Sequence, residues 1–143
     1  MIMRSEAETI ELLSRFRPSF LDDMGCTIVG VDVEKMTCSM QFDISKSYCH
    51  SGDIVQGGFV SAMLDAVSTH AAFAANEKIN SVSTLEFKTL FLEASRAGKF
   101  DAIGRVDKLG RSIAFLSAEL RNEKGQVTAT MTTIAKVRLS DAG

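Results

Sequence analysis

Gln56-Gly57-Gly58-Phe59-Val60-Ser61-Ala62-Met63-Leu64-Asp65-Ala66-Val67-Ser68-Thr69-His70-Ala71-Ala72-Phe73-Ala74-Ala75 is the stretch whose reading decides the fold. Residues 57–75 are apolar on nearly every face. A helix of that kind must be covered all round, so it is predicted to be a buried central helix. Its first residues are two glycines, which leave bare backbone N–H groups that another molecule can approach closely. Behind them sits one carboxylate, Asp65, among Ala, Met, Leu and Val. A carboxylate there is expensive to bury without a partner or a task. Ser61, Asp65, Ser68 and Thr69 stand at i, i+3 and i+4 spacings and form one polar stripe, while His70 and Asn76 fall outside it.

Outward from the helix the pattern changes to period two. Between Cys26 and Asp43, Val29, Val31 and Val33 alternate with polar or small residues. Met36, Cys38, Met40 and Phe42 then do the same, so two strands joined around Glu34-Lys35 are expected. Residues 44–56 read as a polar loop. After the helix, alternating runs cover Leu85 to Phe91, Phe100 to Val106, Ser112 to Asn122 and Val127 to Val137. Short turns between consecutive strands imply antiparallel pairing. Residues 5–16 carry Ile10, Leu12, Leu13 and Phe16 at helical spacing, and Pro18, the single proline, ends that short helix. One buried helix against one long antiparallel sheet is an α+β layer architecture.

Composition excludes several classes. The chain has 143 residues, 45% apolar and 24% charged, with net charge −2. That suits one domain and lacks the basic excess of a general nucleic-acid binder. No apolar run reaches the ~18–20 residues that span a bilayer. The first residues lack a basic segment followed by an apolar stretch, so a cytoplasmic location and no membrane partner are expected. Cys26, Cys38 and Cys49 are widely spaced and fit free thiols. With only His50 and His70 to join them, no common zinc pattern is present and no metal is expected.

Helix geometry constrains the chemistry. The Gly57 N–H, at the positive end of the helix dipole, can polarise a carbonyl. Asp65 lies eight residues on, about 12 Å along the axis. A reacting carbon must sit ~3 Å from both the oxyanion donor and the attacking group, so one helix cannot supply both. An antiparallel helix from a second copy can, and a two-fold dimer makes two such sites.

These residues resemble a known family, the hotdog-fold acyl-CoA thioesterases of the PaaI-like branch. The resemblance covers roughly residues 25–138. It rests on Gly52, Gln56-Gly57-Gly58 and Leu64-Asp65-Ala66, on Ser83-Thr84-Leu85-Glu86-Phe87, on Ala97-Gly98-Lys99 and on Gly110-Arg111-Ser112. It implies a hotdog fold over 25–143 with residues 1–24 as an N-terminal helical segment. It implies hydrolysis of the thioester of a small or medium acyl- or aryl-acyl-CoA. The expected assembly is a homodimer, paired into a tetramer. No cofactor is expected beyond the coenzyme A of the substrate.

Carried over by position, Asp65 resembles the catalytic carboxylate, as nucleophile or as general base. Gly57 resembles the oxyanion donor, and Gly58 after it a substrate-binding position. Ser83 and Thr69 stand where relatives place hydroxyls that position the carboxylate or the water. Ser83 shares strand parity with Leu85 and Phe87, which predicts that it faces the helix. Lys108, Gly110, Arg111 and Ser112 resemble a turn that touches the nucleotide end of coenzyme A.

Two departures stand out. The family has His before the two glycines where this chain has Gln56, and Asn or Gln six residues earlier where this chain has His50. Gln56 still donates a hydrogen bond but carries no proton near neutral pH. His50 does, and suits orienting water or acting as an acid on the thiolate. The rival readings are a non-catalytic acyl-CoA-binding hotdog protein and a hotdog dehydratase or hydratase, whose motifs are absent. A Cys49–His50 hydrolase is disfavoured because adjacent residues in an extended loop point apart.

Overall fold

The computed structural model describes residues 4–141. Met1–Met3, at the head of the expected N-terminal segment, and residues 142 and 143, at the end of the expected domain, lie outside the described residues. Helix α1 spans Glu6–Phe16 and opens with a reciprocal cap: the Ser5 hydroxyl accepts from the Glu8 N–H, and the Glu8 carboxylate accepts from the Ser5 N–H. Arg17 is extended, as the residue before Pro18 must be, and α1 stops there. A short helix α2, Phe20–Asp23, buries Leu21 in the core.

Strands β1 (Thr27–Asp32) and β2 (Thr37–Ile44) follow, then a 3-10 turn over Lys46–Tyr48 and a small hairpin of β3 (Cys49–Ser51) and β4 (Ile54–Val55). Next come α3 (Gly57–Ala75), β5 (Ile79–Phe91), β6 (Gly98–Leu109), β7 (Ile113–Arg121) and β8 (Val127–Leu139). The main sheet has six strands in the order β1-β2-β6-β7-β8-β5, every neighbouring pair antiparallel. Its concave face wraps α3, and the α+β layers expected from the sequence are present.

Four local expectations change. The segment 44–56 is a pinned hairpin rather than a loop. The Val55 N–H donates to the Ser95 carbonyl at 2.8 Å, the Ala97 N–H to Asp53 at 2.7 Å, and Arg96 pairs with Asp53 at 2.6 Å. These partners are distant in sequence, so alternation within 44–56 does not reveal them. Val29 was expected on the same face as Val31. A register shift between Ile28 and Gly30 turns Val29 outward (46% exposed) and buries Ile28 and Val31. Met36 sits in the β1–β2 turn at φ +54° rather than in β2. Strand β5 begins at Ile79, well before Leu85.

Helix α3 packs most extensively on β6, and one residue makes this possible. A Cβ at Gly104 of β6 would stand 2.3 Å from the Val67 carbonyl oxygen and 2.7 Å from the Ser68 Cα. The helix backbone therefore rests directly on the strand. Met63, Leu64, Val67 and Ala71 are fully buried there, with Phe42, Phe100, Leu116 and Leu120 of the sheet. No helix among the described residues is long and apolar enough to cross a membrane.

Two outcomes test this packing. Gly104→Ala must push α3 off β6 against backbone atoms. A loss of ~3 kcal/mol and a melting point lower by about 10 °C are expected, measured by thermal unfolding. Burial pushes the Cys38 thiol up to about 12 and the Cys26 thiol up to about 11, the latter with Arg17 pulling slightly the other way. Both stay protonated and shielded at pH 8. A thiol reagent should label Cys49 in the native protein, and Cys26 and Cys38 only after denaturant is added; rapid labelling of all three would contradict the core.

Candidate active site

Helix α3 lies beside edge strand β5 and runs antiparallel to it, fixed at three levels. The Phe91 ring lies 3.2 Å from where a Cβ on Gly57 would stand. The Ser61 and Thr89 hydroxyls hydrogen-bond at 2.9 Å. The Thr84 hydroxyl donates to Asp65 Oδ1 at 2.7 Å. Thr84 and Thr89 are five residues apart, an odd number that cannot share one face of a regular strand. A register shift between Thr84 and Glu86 solves this, because it leaves Leu85 without a partner on β8 and reverses the facing of everything after it.

That shift corrects the parity expected for Ser83. Ser83 is exposed, and its neighbour Thr84 holds the carboxylate. The Thr69 hydroxyl does not bond to the carboxylate. It donates to the backbone carbonyls of Asp65 (2.9 Å) and Ala66 (3.1 Å), and the Ser68 hydroxyl donates to the Asp65 carbonyl at 3.0 Å. Both bond to the preceding turn and not to the carboxylate. The polar stripe thus divides into a peg to β5 (Ser61), a carboxylate anchored through one oxygen (Asp65) and two back-bonded hydroxyls. Asp65 is half-buried, with Oδ1 engaged and Oδ2 without a hydrogen-bond partner among the described residues.

At the helix start, Gln56 caps with its backbone only. Its N–H donates to the Tyr48 carbonyl, and its own carbonyl accepts from the Phe59 and Val60 N–H groups. Among the described residues the Gly57 and Gly58 N–H groups have no acceptor. The Gln56 side chain is exposed. His50 of the pinned hairpin, Gly57 and Phe91 line one open cleft with Val60 and Glu93. His50 Nδ1 is 2.8 Å from the Ser51 hydroxyl, which orients the ring. The structure therefore brings His50 to Gly57, and Thr84 to Asp65. These are two separate clusters on one chain, about 12 Å apart along the helix. Lys108, Gly110, Arg111 and Ser112 are exposed on the β6–β7 hairpin; among the described residues no ion pair engages the Lys108 or Arg111 side chain.

Thr84, Thr89, Phe91 and Glu93 were not singled out from sequence. The Thr pair carried a signal in retrospect: two hydroxyls in an apolar strand beside a helix with a matching polar stripe. The residue shift that aligns them did not. Among the described residues no group of three or more His, Cys, Asp or Glu is placed to hold a metal ion.

Residues 52–129, which contain both clusters except His50, match the model of the thioesterase superfamily. The chain belongs to this superfamily. A phenylacetic acid degradation-related protein from Ralstonia eutropha JMP134 has a solved structure that is 27% identical, covers 90% of this chain and 99% of that chain, and superposes with a TM-score of 0.82. The six-stranded sheet around α3 is thus the hotdog fold, and the resemblance to PaaI-like thioesterases holds. A thioesterase-type protein from Streptococcus pneumoniae TIGR4, solved with coenzyme A, shares the fold at 15% identity and a TM-score of 0.72, covering 80% of this chain and 87% of that one. A Thermoplasma volcanium protein named as an esterase is 37% identical over 65 residues, 46% of this chain; the match spans about half (48%) of that relative's length.

His70, buried two turns beyond Ala62, gives a test of the helix environment. Its Nδ1 bonds the Ala66 carbonyl at 2.7 Å, and the ring meets Phe73 edge-on. Burial lowers its pKa from 6.5, against a smaller upward pull from the Ala66 carbonyl. The unfolded chain therefore binds the proton first as pH falls. Stability contributed by neutral His70 is full above about pH 6.5 and is lost as pH drops from there through the lower folded value. Thermal melts from pH 7.5 to 5 should show a decline that is shallower in His70→Leu; parallel curves would exclude His70 as its source.

Proposed function

We propose that this protein is an acyl-CoA thioesterase whose site is shared between two copies of the chain. The observation that carries this reading is the half-buried Asp65, anchored by Thr84 at Oδ1 and with Oδ2 open, on a helix whose Gly57 N–H lacks an acceptor. One end of α3 offers an oxyanion donor and the middle offers a base or nucleophile, but they are too far apart to act on one carbon. A two-fold pairing that sets Gly57 against the partner's Asp65 joins them.

Two further features support such a pairing. Strand β5 is a sheet edge with Leu85, Phe87 and Leu90 each 44–58% exposed, a surface that isolated proteins avoid. The uncovered stripe of α3 (Gly58, Ala62, Asp65, Thr69) is built from small or short residues that let a second helix approach closely. Pairing of such dimers into a tetramer is part of the same proposal.

In this mechanism the thioester carbonyl oxygen accepts from the Gly57 N–H at the positive end of the helix dipole. Asp65 Oδ2 attacks the carbonyl carbon, forming a mixed anhydride that water then cleaves to free the acid, or it removes a proton from a water that attacks that carbon itself. Thr84 keeps the other oxygen fixed, so the attacking lone pair stays aimed. The thiolate of coenzyme A leaves; it is a good leaving group. His50, in the cleft with Gly57, is placed to steady the thioester or give the thiolate its proton, and Gln56 adds an amide donor at the rim. Lys108 and Arg111, with Gly110 and Ser112 shaping their turn, meet the nucleotide phosphates. Coenzyme A in the Streptococcus pneumoniae structure supports the ligand class. No cofactor beyond the substrate's own coenzyme A takes part, and the chemistry suits a cytoplasmic enzyme.

Asp65→Asn should lower kcat on an acyl-CoA at least a thousandfold while the melting point and acyl-CoA binding persist. Binding without hydrolysis in the wild type would instead mark a non-catalytic acyl-CoA-binding protein. Thr84→Val should cost about 10–100-fold in kcat, recovered largely by Thr84→Ser, which keeps the hydroxyl. Gly57→Pro removes the N–H while suiting the first helical position, since Gln56 already has the extended backbone (φ −57°, ψ 134°) that precedes proline. Mixed dimers of Gly57→Pro with Asp65→Asn chains should regain one site. No recovery in verified heterodimers would disprove the shared site.

A further inference from the structure

The cleft at the head of α3 is more apolar than the hydrolytic steps require. It is open and about 440 Å³, a size common among small-molecule sites. Gly57 lines it together with Ile54, Val55, Val60, Phe91 and Leu92. Its two sides are joined. The Val55 N–H donates to the Ser95 carbonyl and Ile54 bridges to Arg96, so the β3–β4 hairpin is fixed to the segment after β5. That segment is held in turn to β8. The Leu92 and Glu93 N–H groups both donate to the Thr128 carbonyl, at 2.9 and 3.1 Å, and the Ser95 hydroxyl donates to the Thr128 hydroxyl at 2.8 Å. The cleft is therefore preformed.

A thioester carbon whose oxygen is held at the Gly57 N–H carries an acyl chain on one side and the sulfur of coenzyme A on the other. The same hydrogen bonds decide which of the two suits the cleft. They engage the Val55, Leu92 and Glu93 N–H groups and the Ser95 hydroxyl, so a ligand gains no donor from these. The pantetheine arm of coenzyme A has amides and a hydroxyl that are costly to bury without partners. A hydrocarbon chain makes no such demand. Charge points the same way. Among the described residues, Glu93 is the one carboxylate in the lining, and no ion pair engages it. Arg96, the nearest cation along the chain, pairs with Asp53 at 2.6 Å. His50, the other titratable group of the cleft, bonds Ser51 through Nδ1. A carboxylate without a cation repels the phosphates of coenzyme A and any acyl group that ends in a carboxylate. It leaves a neutral acyl chain alone.

We propose that this cleft receives the acyl group, that Phe91 and Leu92 wall it, and that Glu93 restricts it to acyl groups without a terminal carboxylate. This rests on the thioesterase reading for the position of the carbonyl at Gly57. It adds specificity residues that the hydrolytic steps do not use. Phe91 and Leu92 are each 56% exposed, so they offer surface to a ligand and are not parts of the core.

The test is isothermal titration of the full chain carrying Asp65→Asn, which stops turnover during the measurement. The ligands are acetyl-, butyryl- and hexanoyl-CoA, with succinyl- and adipoyl-CoA as the last two chains ended by a carboxylate. Affinity should rise about twofold per methylene from acetyl to hexanoyl, because an open cleft covers one side of the chain. Phe91→Ala and Leu92→Ala should each lower the hexanoyl-to-acetyl ratio about threefold. Succinyl- and adipoyl-CoA should bind about tenfold more weakly than butyryl- and hexanoyl-CoA, and Glu93→Gln should recover about threefold or more of that. Added salt should shrink the same penalty in the parent and change it little in Glu93→Gln. Each variant is first shown folded by its melting curve and of parent mass in solution. A hexanoyl-to-acetyl ratio unchanged by both wall substitutions overturns the cleft as the acyl site. Equal weakening of every thioester and of free coenzyme A also overturns it, because the pantetheine arm then lies there. A carboxylate penalty unchanged in Glu93→Gln overturns the role of Glu93. Hydrolysis of hexanoyl-CoA by the wild type separates the two readings. Hydrolysis together with an unchanged ratio overturns the cleft assignment alone. Graded, Phe91-dependent affinity without hydrolysis by the wild type overturns the thioesterase reading and leaves the cleft. Failure of every thioester to bind overturns both.

Discussion

The seating of α3 on β6 is the contact on which the rest depends. The helix approaches the strand until the Val67 carbonyl occupies the place of a side chain at Gly104. Such an approach brings backbone against backbone and lets the short Ala, Val and Met side chains of α3 reach the sheet on both sides. Had a larger residue stood at 104, the helix would ride higher and the hydroxyl contacts along its flank would stretch. The 2.9 Å Ser61–Thr89 and 2.7 Å Thr84–Asp65 bonds exist because the helix sits that low. Hydrogen bonds weaken steeply beyond such distances, so packing of apolar groups sets the geometry of the polar ones.

The carboxylate is held in a particular way. Asp65 has one neutral hydroxyl donor and no cation bonded to it among the described residues. A guanidinium partner would fix it more firmly but would also neutralise its charge and engage both oxygens. A single threonine aims the group and leaves it reactive. The helix start follows the same logic. A Ser or Asp cap would have occupied the free N–H groups; Gln56 caps through its backbone alone and leaves them facing a cleft. Both ends of the proposed chemistry are thus sites where ordinary stabilisation has been omitted, which is how functional sites depart from local rules.

Local sequence was sufficient wherever periodicity governs. Residues 57–75 read as a central helix, and the structure places α3 at Gly57–Ala75. Antiparallel strands and their approximate extents were equally visible. Failures cluster at single-residue irregularities. The shift at Leu85 moves the anchoring hydroxyl from Ser83 to Thr84, and the shift after Ile28 turns Val29 outward. A bulge inserts one residue without altering composition, and a period-two pattern has no means of announcing it. The β3–β4 hairpin was hidden for another reason. Its hydrogen bonds go to Ser95, Arg96 and Ala97, some forty residues away.

The sequence by itself determined that a nearly all-apolar helix must be enclosed by a sheet, that its glycine start leaves N–H groups bare, and that Asp65 lies too far from them to act on the same atom. These follow from periodicity and from the fixed rise of a helix, which depend on nothing outside the segment. Only the tertiary structure decided which hydroxyl grips Asp65, that Ser68 and Thr69 turn back on their own helix, and that His50 joins Gly57 in one cleft. Each of these is a meeting of residues distant along the chain. Their placement is set by how the helix seats on the sheet and where a strand gains a residue, and neither is written in any local pattern.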